Sequence, residues 1–251
     1  MAEERSARGL PAYLSLWGLL ARSSFYKILA VLGLMAAGEG LWLRNILKRG
    51  MASESLEIMA DNGLPFLFLP ALGVLSFFLA RTEGLMGDRS RYTMQRLKVD
   101  PMQIFALQTV YNVLCITMLY AVQIFLGIWM IEIYGRSLPA ESLPSQLLFL
   151  AFYRSEFLHC LLPLADTGKW VRNILCILAL GMAAAGEGEK KKQIGQILLF
   201  IVTASWFATP IGLGYRDVIC DMVYGATILG TLWENVFRRK ISPEETKAEN
   251  C

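Results

Sequence analysis

The sequence predicts an all-α polytopic membrane protein: six transmembrane helices plus interfacial helices, in a single transmembrane domain over 1–251. Three observations predict it. The 251 residues are 55% hydrophobic and only 18% charged, whereas soluble domains carry about 25% charged residues. Several apolar runs reach the roughly 20 residues that cross a hydrocarbon core about 30 Å thick. Positive residues cluster in alternate connections, the pattern of cytoplasmic loops. The net charge of +3 is uninformative beside this placement. The lipid bilayer is the expected surrounding, and no nucleic acid is expected as a partner.

The first ten residues, MAEERSARGL, are polar and mixed in charge, and no cleavage site follows a short apolar core. The first span is therefore expected to act as its own insertion signal. Residues 1–24 form a cytoplasmic segment in which Leu10 to Arg22 is apolar but too short to span. Tyr13 and Trp17 suit the membrane interface, so this stretch predicts a surface helix, with a break at Ser23 and Ser24. Span one is placed near Phe25 to Leu43, with Glu39 near its far end, facing water or a polar partner. Arg44 to Gly63 reads as an outer loop with a short polar helix, SESLEIMADNG, and span two as Leu64 to Ala80 with a proline at Pro70.

The segment 81–101, RTEGLMGDRSRYTMQRLKVDP, carries Arg81, Arg89, Arg91, Arg96 and Lys98 and is read as cytoplasmic. Asp88 can cap a short helix over Arg89 to Lys98, and Asp100 with Pro101 marks the next helix start. The mostly apolar run Ile104 to Tyr134 gives span three, long enough that it must tilt or protrude. Its Gln108, Asn112 and Gln123 are expected to face other helices.

The outer segment 135–169 contains the apolar run Gln146 to Leu164, interrupted by Arg154, Glu156 and His159. If that run crossed, the clusters Lys190–Lys192 and Arg238–Lys240 would fall outside, so it is expected to lie at the outer surface. Arg154, Glu156 and His159 share no single helical stripe and are expected to reach water, with Leu147, Leu148, Leu150 and Phe157 in the headgroup boundary. Span four lies near Trp170 to Gly186, span five near Ile194 to Leu213 and span six near Val218 to Phe237, before a charged tail over 238–251. Both termini are then cytoplasmic, in a multi-pass protein of the cell membrane.

Catalytic signatures were sought and are missing from the sequence. It has no GxxxxGK[ST], GxSxG, HExxH or CxxC, and His159 is the only histidine. The chain reads as a non-enzyme without cofactor or metal. The five cysteines are spaced as buried thiols. Asp217 and Asp221, one turn apart, could hold a cation or belong to a wet helix end. Gly33, Gly38 and Gly40 in span one, with Gly181 and alanines 183 to 185 in span four, suit close helix packing.

A surface helix, two spans, a basic cytoplasmic helix and four more spans is a layout that resembles the six-span membrane subunit of exporter-type ABC transporters. The likeness is strongest over Asp88 to Asn112, DRSRYTMQRLKVDPMQIFALQTVYN, which is similar to the family's basic YTLRRLPVS-like loop ahead of span three. The resemblance implies a permease that forms the substrate pathway as a homodimer or heterodimer. It also implies a separate nucleotide-binding ATPase subunit docked on a coupling helix of Arg89, Arg91, Tyr92, Met94, Arg96, Leu97 and Lys98. The family's re-entrant element lies between spans five and six, where this chain has only GLGYRD. Two other classes stand beside this reading: a membrane-embedded enzyme acting on lipid, and a non-transporting partner such as an immunity or sensor-anchoring protein.

Overall fold

A computed structural model describes residues 2–48, 56–81, 101–137, 144–164, 166–185, 189–208 and 214–238. The coupling residues Arg89, Arg91, Tyr92, Met94, Arg96, Leu97 and Lys98 lie outside the described residues. So do the side chains of Lys190 to Lys192 and the tail beyond Arg238.

Every element among the described residues is helical: α1 (Ala2–Lys48), α2 (Leu56–Ala80), α3 (Pro101–Ser137), α4 (Pro144–Arg154), α5 (Glu156–Leu161), α6 (Thr167–Ala185), α7 (Glu189–Ala208) and α8 (Gly214–Leu232). The last runs into a π-helical stretch, Trp233–Arg238. Four helices contain stretches long and apolar enough to cross a membrane: Ser24–Lys48, Ala60–Ala80, Met102–Arg136 and Thr167–Ala185. In α7 the apolar stretch Gln193–Phe207 is shorter, and α8 carries Arg216, Asp217 and Asp221 near its start.

The six long helices alternate in direction. Trp42 of α1 meets Gly63 of α2, and Gly38 meets Leu67. Asn112 of α3 donates to the Gly181 carbonyl of α6 at 3.2 Å, and Tyr120 lies opposite Cys176. Gln196 of α7 donates to the Leu180 carbonyl at 2.8 Å. Thr203 and Arg216 place α7 antiparallel to α8 through Tyr224 and the Ser205 carbonyl. One end of the bundle therefore holds Lys48, Leu56, Ser137, Thr167, Ala208 and Gly214. The other holds Arg81, Pro101, Ala185 and Glu189.

The burial pattern suits a helical bundle in lipid. Leu34, Phe66, Phe125 and Ile201 point outward, where acyl chains would cover them. Polar groups turn inward, because an amide against hydrocarbon costs more than one bonded to a neighbouring helix. Gln108, Asn112 and Gln123 are all buried, as expected for groups facing other helices. At the core Phe68 meets Tyr120 and Phe207 edge-on at 5.4 Å, and Phe157 at 5.7 Å. Such pairs add about 0.5–1.5 kcal/mol beyond their buried area.

Four expectations are corrected. No break separates a surface helix from span one: α1 is continuous through Ser23 and Ser24. Ser24 stays in the helix, and its hydroxyl is engaged across the bundle by the Tyr111 hydroxyl of α3 at 2.6 Å. The polar helix before span two is not separate either, since Leu56 to Gly63 forms the first two turns of α2. Because α1 runs on to Lys48, Glu39 lies deeper than its sequence position suggested, and it is fully buried. Finally, Gly33 and Gly40 face open space, whereas Gly38 and Gly181 are close-packed.

Gly181 is the tightest of these against backbone. A Cβ there would come within 3.2 Å of the Val113 amide nitrogen and 3.4 Å of its Cα. Those atoms belong to α3 and cannot turn away as a side chain would. Gly181→Val is expected to destabilise the protein by about 1–3 kcal/mol, as overpacking does, seen as a lowered denaturation midpoint in detergent. Gly33→Val, facing open space, is the control and should leave the midpoint within about 0.5 kcal/mol.

Candidate functional site

The end of the bundle with the 137–167 connection is organised by a chain break at Ser155. Residues 144–154 and 156–161 are both helical, but Ser155 is extended (φ −71°, ψ 122°) and caps the second helix by accepting from the Leu158 amide. Its hydroxyl donates to Asp61 Oδ1 of α2 at 2.6 Å. The same carboxylate accepts from the Phe157 amide at 3.0 Å and the Glu156 amide at 3.3 Å. Asp61 thus holds the start of α5, and Asn173 of α6 holds its end by donating to the Cys160 carbonyl at 2.7 Å. Phe157 and Leu158 are pressed into the core, where Leu158 packs on Gly127 of α3.

Neither short helix is by itself long enough to cross a membrane, since 11 residues span about 16 Å of a core about 30 Å thick. Leu148 and Leu150 are exposed, as expected, but Phe157 belongs to the aromatic core and not to a headgroup boundary. The break at Ser155 is the reason, because it re-aims every side chain after it.

A second anchor lies beside the first. Arg172 of α6 is buried, and it binds Asp221 of α8 through Nε at 2.9 Å and NH2 at 3.1 Å. Its NH1 is 3.3 Å from Asp217 Oδ1, within ion-pair range though outside hydrogen-bond geometry. The guanidinium stacks on Trp206 of α7 at 4.2 Å, and that of Arg216 lies 5.4 Å from the same ring. Asp217 and Asp221 therefore do hold a cation, and it is the chain's own Arg172.

Between the two anchors is a cavity of about 440 Å³. Asp61, Glu156, Asp217, Arg154, Lys169 and Arg216 supply its charge, and Tyr153, Phe157, Trp206 and Phe207 its aromatic surface; His159 and Cys160 complete it. Its size is that of a small-molecule pocket. Two of its three carboxylates are committed, Asp61 to α5 and Asp217 to Arg172. Burial, and then the charge of Asp61, push the Glu156 carboxyl above its ordinary value of 4.5, while Lys169 opposes the shift. Burial, and then Lys169, hold the His159 imidazole below 6.5, so it is neutral at pH 7. Burial pushes the Cys160 thiol up to about 11, so it is a poor nucleophile. The arrangement can hold a small polar molecule by charge and stacking.

Sequence reasoning named Arg154, Glu156 and His159 as one group and Asp217 with Asp221 as another, and the structure brings the first group and Asp217 around one cavity. It missed Asp61, Lys169, Arg172 and Trp206. The available signal was the lone arginine in KWVRNIL, which needs a counter-charge within reach if it is to lie in a bundle. No group of three or more His, Cys, Asp or Glu converges as a metal site among the described residues. No protein family, curated protein or solved structure matches this chain.

Proposed function

We propose that the chain is the six-span membrane subunit of an ATP-driven exporter, of the kind its coupling-loop residues resemble, in the cell membrane with both termini cytoplasmic. A separate ATPase docks on Arg89, Arg91, Tyr92, Met94, Arg96, Leu97 and Lys98, and two membrane subunits line the pathway. The observation that carries the reading is α3. It starts at Pro101, directly after the basic segment, and runs unbroken for 37 residues, about 56 Å. At its far half Gly127 touches Leu158 and Phe152, the helices that wall the cavity. A push at the basic segment is therefore carried by one rigid element to the opposite end of the bundle. The alternating helices also leave Arg81 and Pro101, which flank that segment, at the end opposite the cavity, as a coupling site and a release site would be.

Purification of the tagged chain from its native membrane should bring down a nucleotide-binding subunit. Replacing Arg96 and Leu97 together by alanine should weaken that association by about 2 kcal/mol or more, roughly thirtyfold. The denaturation midpoint of the membrane subunit should not move. Capture of no ATPase, or capture indifferent to the double replacement, would sink the reading. Repeated capture of a single non-ATPase partner would favour an immunity or sensor-anchoring role.

A further inference from the structure

The most deeply buried acid among the described residues is outside the cavity. Glu39 of α1 and Gln123 of α3 are both 0% exposed. Their side chains lie alongside each other, close enough for the amide to reach the carboxylate, but no carboxylate oxygen or amide heavy atom of the pair meets a partner in good hydrogen-bond geometry. Four polar atoms without a well-formed hydrogen bond at one helix contact are a large penalty, whereas Asn173 and Gln196 each leave only an oxygen in that state.

Among the described residues, the neighbouring helices set no positive charge against the carboxylate. On α2, Asp61 is itself acidic and held by α5, and Arg81 stacks on Phe77 at the opposite end. On α3, Tyr111 bonds Ser24, Tyr120 is uncharged, and Glu132 is tied to Arg136 in an exposed pair at 2.6 Å. A bare carboxylate enclosed in this way needs a positive charge from elsewhere.

We propose that Glu39 and Gln123 form a binding site for a monovalent cation, a proton or Na⁺, inside the bundle. Both sources share one chemistry, in which a small positive charge sits on a carboxylate oxygen with the amide as second partner. A proton adds to the carboxylate with no bond broken, and the resulting acid and the amide can exchange two hydrogen bonds. Na⁺ would take the carboxylate and amide oxygens as ligands.

A polar chain starts one helical turn away. Tyr120, three residues before Gln123, has its hydroxyl 3.8 Å from Cys176 Sγ, which is 3.5 Å from Thr203 Oγ1, itself 3.1 Å from the Tyr224 hydroxyl. Each of these groups both donates and accepts. Tyr224 is in turn one helical turn beyond Asp221.

The test uses the purified full chain in detergent. If the cation is a proton, infrared spectra of the wild type show a protonated-carboxyl carbonyl band that Glu39→Gln removes, and Tm does not respond to Na⁺. If it is Na⁺, Tm rises when Na⁺ replaces choline at constant ionic strength. Glu39→Gln then abolishes the rise, and Gln123→Leu weakens the apparent Na⁺ affinity about tenfold. Glu39→Gln keeps the side chain's shape, and Gln123→Leu leaves Glu39 intact should the first variant fold poorly. A folded wild type with neither the band nor a Na⁺ response overturns the proposal. So does either signal surviving in Glu39→Gln.

Discussion

Replacing Arg172 by alanine should lower stability by about 2–4 kcal/mol. Removing one partner of a buried ion pair costs about 3–5 kcal/mol because the other charge is stranded. Here the side chains of Asp217 and Asp221 retain 39% and 41% exposure, so water recovers part of that loss. The loss has three sources. Two carboxylates one turn apart are left facing each other, Trp206 loses the cation on its face, and a space opens between α6, α7 and α8. Arg172→Lys should recover the charge but not the two-pronged contact or the stacking, and so only part of the stability. The triple variant Arg172→Leu, Asp217→Asn, Asp221→Asn should fall close to wild type, because it strands no charge. Denaturation midpoints in detergent measure all three. A single Arg172→Ala variant as stable as wild type would show that the ion pair contributes nothing.

Asp61→Ala is the second large effect, at about 2–3 kcal/mol. One carboxylate receives the Ser155 hydroxyl and two backbone amides, and hydrogen bonds to a charged acceptor contribute about 1.5–3 kcal/mol, though not additively. The effect should be local as well as global. Without Asp61 the start of α5 has only the Ser155 cap, so amide exchange at Glu156, Phe157 and Leu158 should accelerate more than in α3. Asp61→Asn keeps an acceptor oxygen and should restore part of the protection. Unchanged exchange at these amides in Asp61→Ala would mean that the core contacts of Phe157 alone position the helix.

The all-helical membrane class and the four long apolar helices were legible because apolar length is a one-dimensional property. Pro101 as a helix start, and the inward turn of Gln108, Asn112 and Gln123, follow from local chemistry, and the structure has both. The cavity was not legible, for a physical reason. The test of a shared stripe for Arg154, Glu156 and His159 assumed one helix with a constant 100° step. Ser155 breaks that step, and what holds the break open is Asp61, 94 residues earlier. Asp217 and Asp221 were visible as an acidic pair, but their partner Arg172 is 49 residues before Asp221. Periodicity within one helix cannot report a bond between two. The break expected at Ser23 and Ser24 is absent too, and there the Ser24 hydroxyl is again engaged by a distant residue, Tyr111 of α3.

The same 49-residue separation has a consequence in time. A ribosome adds about 5–20 residues per second, so Asp221 is made roughly 2–10 s after Arg172. For most of that interval α6 exists without the two carboxylates that neutralise it, and for the first 34 residues of it without the Trp206 ring that covers it. Arg172 is the sixth residue of its helix, close enough to the end for a long side chain to reach the aqueous boundary while it waits. Only when α8 arrives can the guanidinium turn in, so α6, α7 and α8 settle together, and the charged end of the bundle is the last part of the protein to close.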